Sequence, residues 1–117
     1  MAKFLDPISL KEEIRETFEG ADNFLFIVSP FIKLDNKLKK ILEEKKHDPE
    51  FSITLVYGKN EHNHDLSLGV SDLTFFKEFL NVEIYYHPDL HAKYYANEYQ
   101  SIVTSLNLHS FSIKNNI

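Results

Sequence analysis

Leu10, Ile14 and Phe18 recur at helical spacing behind Ser9-Leu10-Lys11-Glu12, a capping-box pattern, and Gly20 supplies a stop, so residues 9–19 are predicted to be a helix. Phe24 to Val28 is an unbroken apolar run with no room for a wet face. It predicts a central strand covered on both sides and ended by Pro30. Leu34, Leu38, Ile41 and Leu42 share one face of a second helix that runs to about Lys46, where His47-Asp48-Pro49 breaks it. Residues 51–57 form a second strand, and the polar stretch from Gly58 to Gly69 a loop. Ser71 or Asp72 then caps a third helix that turns Leu73, Phe76, Phe79 and Leu80 inward. Val82 to Tyr86 reads as the next strand before His87-Pro88, and a hairpin spans residues 90–105. This order predicts an α/β fold, a mixed β-sheet flanked by helices on both faces, in a single domain over residues 1–117 without internal repeats.

Composition narrows the setting. A chain of 117 residues with 43% hydrophobic and 14% aromatic content is ample for one core. No cysteine is present, which excludes disulfides and thiolate metal sites and fits a reducing, cytoplasmic location. The start, Met1-Ala2-Lys3-Phe4-Leu5-Asp6, lacks the apolar run of a signal peptide, and no stretch approaches the ~20 apolar residues of a membrane span. With 13 basic against 18 acidic side chains, a net charge of −5 lacks the balance of a strong free-standing nucleic-acid binder. Lys33, Lys37, Lys39, Lys40, Lys45 and Lys46 cluster, but Glu43 and Glu44 interrupt them at the spacing of a solvated helix face.

The one cluster that reads as chemistry lies near the end of the chain. On a strand, His91 and Lys93 project together, with backbone positions ~6.6 Å apart, while Leu90, Ala92 and Tyr94 face the core. Asn97-Glu98-Tyr99-Gln100 makes a turn, and residues 101–104 return to bring Ser105 and Asn107 alongside. Tyr95 shares the face of His91 and Lys93 and is the candidate to line a substrate cleft, with Tyr94 buried. A neutral imidazole can attack phosphorus, an ammonium cancels charge on the non-bridging oxygens, and hydroxyl and amide donors hold the transition state. Such chemistry calls for no metal and no cofactor.

The pattern His91-x-Lys93-x4-Glu98, with Ser105-x-Asn107 downstream, resembles the phospholipase D superfamily, whose signature is H-x-K-x4-D followed by a small residue, Ser and Asn. The likeness extends to residues 24–31, 54–59, 90–98, 105–108 and 112–116, nearly the whole chain, and looks like the small single-motif bacterial proteins of that superfamily. It implies a phospholipase D-like half-unit. His91 would be the covalent nucleophile or general acid, Lys93, Ser105 and Asn107 the phosphate ligands, and Glu98, one methylene longer than the family's Asp, a structural carboxylate. Similar proteins continue past the Asn115-Asn116 pair to a glutamate that orients the histidine. The resemblance therefore implies a chain truncated at its C-terminus, with reduced activity.

One motif supplies one histidine, whereas double displacement at phosphorus needs a nucleophile and a second group to protonate the leaving oxygen. A homodimer with facing histidines answers that need, as the resemblance also implies. The function expected is a metal-independent phosphodiesterase, nuclease-type, acting on DNA or RNA through a phosphohistidine. The alternative is a non-catalytic phosphate- or nucleic-acid-binding module of a larger protein. Glu61-His62-Asn63-His64-Asp65 offers nitrogen and oxygen donors, but with no third distant ligand it reads as a polar loop. His109 either approaches the site, joining Tyr95 as a substrate-binding candidate, or begins the terminal segment. His47 and His87 flank proline breaks and read as loop residues.

Overall fold

The computed structural model describes residues 7–58 and 68–104. Three helices and five strands follow one another as α1 (Pro7–Glu19), β1 (Phe24–Ser29), α2 (Asn36–Glu43), β2 (Ser52–Tyr57), α3 (Val70–Lys77), β3 (Val82–Tyr86), β4 (Tyr94–Asn97) and β5 (Ser101–Val103). The strands form one mixed sheet in the order β3-β2-β1-β4-β5, an α/β arrangement as the element order predicts. β1, β2 and β3 are parallel neighbours, while β4 runs antiparallel to both β1 and β5.

Helix starts depart from the sequence reading. α1 begins at Pro7, whose missing N–H costs nothing in a first turn, so Ser9 lies inside the helix. α2 begins at Asn36, because the Asp35 side chain accepts from the Leu38 N–H at 2.8 Å; Leu34 is buried ahead of the helix. At α3 the capping position is Gly69, and Asp72 is used elsewhere. Its carboxylate, almost buried, accepts from the Leu34 N–H at 3.1 Å and pairs with Lys39 at 3.1 Å, tying α3 to α2. Lys46 adds a second tie to Glu78 at 2.7 Å, which, with partial burial opposing, holds its ammonium above the ordinary lysine range.

The expectation of helices on both faces is corrected: among the described residues all three lie on one. Leu25 and Ile27 of β1 share a face with Ile53 and Leu55 of β2, Tyr95 of β4 and Ile102 of β5. These six are buried in a single cluster with Leu10, Ile14 and Phe18 of α1, Leu38 and Leu42 of α2, Phe76 of α3 and Phe79 just beyond it. The reason is topological. The two crossovers, β1-α2-β2 and β2-α3-β3, step the same way across the sheet, and crossovers of one hand that do so lay their helices on one face. The other face carries Phe24, Phe26 and Val28, Thr54 and Val56, Tyr85, Tyr94 and Val103. Phe26, Tyr85 and Val103 are exposed there, and the Phe24 and Phe26 rings lie 5.1 Å apart. Leu80, expected inward, is also exposed because α3 ends at Lys77. Among the described residues no helix is long and apolar enough to cross a membrane.

Candidate functional site

The chain leaves β3 at one edge of the sheet and re-enters as β4 on the far side of β1, antiparallel to it. Residues 87–93 therefore cross the carboxyl ends of the parallel strands, where the strand order reverses. Open α/β sheets hold ligands at such an edge, because adjacent connections part there and leave a crevice. The crossing is closely fitted. The His87 N–H donates to the Tyr57 carbonyl at 2.9 Å and the Leu90 N–H to the His87 carbonyl at 3.1 Å. Leu90 passes so near Gly58 that a Cβ on that glycine would sit 3.2 Å from the Leu90 Cβ and 3.1 Å from the Pro30 Cα. A side chain here would press its neighbours by a few tenths of an ångström, so glycine eases the meeting of three segments. The Tyr57 and Tyr86 rings, ending β2 and β3, lie 5.2 Å apart at the same edge.

His91 and Ala92 are exposed and Lys93 is half-buried at this edge. They were expected on a strand, with alternation aiming His91 and Lys93 to one side. The ladder instead begins at Tyr94, since β1 ends at Ser29 and Pro30 has no N–H to extend it. His91-Ala92-Lys93 is thus a connector, and Ala92 is not a core residue. The expected burial of the tyrosines is also reversed. Tyr95, proposed to line a cleft, is fully buried between Ile27 and Ile102 on the helix-covered face, while Tyr94 is half-buried on the open face opposite Val28 and Val103. Leu90 and Ala92 lie outside the pleat, so their alternation does not carry into β4.

The Thr104 N–H donates to the Lys93 carbonyl at 3.0 Å, extending the β4–β5 pairing by one step. The chain therefore arrives level with Lys93 at Thr104. Ser105, Asn107 and His109 lie outside the described residues, as do Glu61 to Asp65. Among the described residues, no three histidine or carboxylate side chains gather as a metal-binding group.

Glu98 occupies the opposite end of β4, ~16 Å of extended chain from Lys93. Its carboxylate accepts from the backbone N–H groups of Asp22 at 2.6 Å, Asn23 at 2.9 Å and Phe24 at 3.2 Å, clamping the entrance of β1 to the β4–β5 turn. Partial burial pushes its carboxyl upward, but the N–H donors, its own and those of Phe24, Asn23 and Asp22, outweigh this and hold it below the ordinary 4.5. Asn97, which the sequence reading did not single out, completes the clamp. It donates to the Thr17 carbonyl at 2.8 Å and accepts from the Tyr99 and Gln100 N–H groups at 2.7 and 2.9 Å. Its placement before Glu98-Tyr99-Gln100 is the local signal of an Asx turn.

Glu98→Ala is expected to destabilise the fold by about 2 kcal/mol, and Glu98→Gln, which keeps one acceptor oxygen, by roughly half as much. Because the folded carboxyl titrates below its ordinary value, this stabilisation is fully present above about pH 4.5 and is lost as pH falls through the lower folded value. Denaturant melts at stepped pH should show the wild-type advantage over Glu98→Gln shrinking below that point. An advantage that grew on acidification would contradict the assignment.

Set beside known proteins, the chain matches no family model and no curated protein sequence.

Proposed function

We propose that this chain is a phospholipase D-like half-unit that cleaves phosphodiesters without a metal, in a nuclease-type reaction on DNA or RNA, with the active site completed across a homodimer. The observation that carries the reading is the Lys93–Thr104 backbone pair at the carboxyl edge of the sheet. It sets the connector bearing His91 and Lys93 beside the point from which Ser105 and Asn107 follow in sequence. An exposed imidazole and a half-buried ammonium at a strand-order reversal are suited to an anionic substrate.

In the proposed reaction, one imidazole nitrogen of His91 attacks phosphorus, and the bond to the leaving oxygen breaks. That oxygen takes its proton from the imidazolium of a second copy's histidine. Water, deprotonated by the same group, then attacks the phosphohistidine; the P–N bond breaks and both rings return to their starting states. Lys93, Ser105 and Asn107 hold the non-bridging oxygens throughout. The reaction starts with one ring neutral, as nucleophile, and the other charged, as acid.

The test is hydrolysis of bis(p-nitrophenyl) phosphate in EDTA across a range of protein concentrations, with the assembly state followed by sedimentation. EDTA-resistant turnover whose specific activity rises with the dimer fraction is expected. Loss of turnover in EDTA, or full turnover by a proven monomer, would overturn the mechanism. A second reading is a non-catalytic phosphate- or nucleic-acid-binding module of a larger protein, whose other parts would supply the basic surface that a net charge of −5 lacks. Salt-sensitive binding of oligonucleotides, weakened by Lys93→Ala and unaccompanied by cleavage, would select it.

A further inference from the structure

The turn that delivers His91 is closed by a second histidine. His87 follows β3 directly, and its backbone N–H is committed to the Tyr57 carbonyl. Its ring Nδ1 accepts from the Asp89 N–H at 3.2 Å, and its carbonyl accepts from the Leu90 N–H at 3.1 Å. Nδ1 can accept only in the neutral ring with the proton on Nε2. Leu90 in turn lies against Gly58, so three of the four residues before His91, namely His87, Asp89 and Leu90, are fixed.

We propose that His87 is a positioning residue: its neutral imidazole, by accepting the Asp89 N–H, sets the turn that presents His91 at the carboxyl edge. Protonation converts Nδ1 from acceptor to donor and releases the turn, which makes the presentation of His91 sensitive to acid. Among the described residues, the titratable groups adjoining His87 through backbone pairing and the turn are Tyr57 on β2, Tyr86 on β3, and Asp89 and His91 along the connector. The catalytic consequence rests on His91 being the reacting histidine, whereas the structural device does not.

The experiment uses the full chain, its His87→Asn variant and its His87→Phe variant. Asparagine at this position accepts from the N–H two residues on, as in an Asx turn, and does not titrate; phenylalanine fills the space and cannot accept. Amide exchange at Asp89 and Leu90 is followed by NMR against pH, alongside the His87 ring resonances and the phosphodiester assay in EDTA. Protection, taken against the intrinsic amide rate at each pH, about fivefold lower in His87→Phe, restored in His87→Asn, and falling in the wild type as the His87 ring takes up its proton, is the expected result. Unchanged protection in His87→Phe, or an acid loss of protection that persists in His87→Asn, would overturn the proposal. Absence of wild-type cleavage strikes the phosphodiesterase reading alone, because exchange at Asp89 and Leu90 decides the role of His87 without it. Where the wild type cleaves, the need for a neutral nucleophile gives every variant an acid limb; a limb displaced to lower pH in His87→Asn supports the device, and one that is unchanged counts against it.

Discussion

Replacing His91 with alanine is expected to lower EDTA-resistant phosphodiester cleavage by about 1,000-fold or more while leaving the melting temperature within a degree or two of wild type. The two halves of this expectation have separate causes. The side chain is exposed on a connector, so its removal opens no cavity and leaves stability nearly unchanged. In the proposed mechanism, however, each dimer uses one imidazole to form the covalent bond to phosphorus and the other to move the proton, and His91→Ala removes both from the homodimer. Mixing His91→Ala with wild-type chains should then silence the mixed dimers as well, so that activity falls faster than the wild-type fraction. Activity in strict proportion to that fraction would show that one copy suffices. Turnover retained in the pure variant would end the phosphohistidine assignment.

Tyr95→Ala is expected to destabilise the domain by about 3–5 kcal/mol, a large share of the roughly 5–15 kcal/mol that holds a domain of this size together. The ring is fully buried on β4, flanked by Ile27 and Ile102, on the face against which α1 packs. Truncation leaves a cavity that two fixed strands cannot close. Thermal and urea melts should show a lowered midpoint with little change in the denaturant slope. A cleft-lining tyrosine would behave otherwise, leaving stability near wild type and weakening substrate binding. Tyr94→Ala makes the contrast, since Tyr94 is half-buried on the face that none of the described helices covers. Its cost should be well under half that of Tyr95→Ala.

Element identity was legible along the chain because it depends on neighbours. The apolar run Phe24–Val28 and the patterned stretches at 51–57 and 82–86 each became a strand within a residue or two of the expected bounds. Leu10, Ile14 and Phe18, and Leu38 with Leu42, were recognisable as helix stripes from their spacing alone. The cluster chemistry was legible only as residue types, a histidine and a lysine two apart near the end of the chain.

What tertiary structure decided was orientation. Whether Phe26 is covered depends on which face receives α2 and α3, a matter of crossover direction that no local pattern encodes. A strand extended back to His91 puts Tyr95 on the wet side, whereas the true start of β4 is set by where β1, more than sixty residues earlier, runs out at Pro30. Glu98 shows the same limit: its three donors lie 74 to 76 residues upstream, and only the closing of β4 against β1 brings them within reach. Local spacing determines which residues can share a face of one element, because pleat and helix have fixed periods. Which face is buried, and which distant backbone a carboxylate meets, follows from how the elements pack.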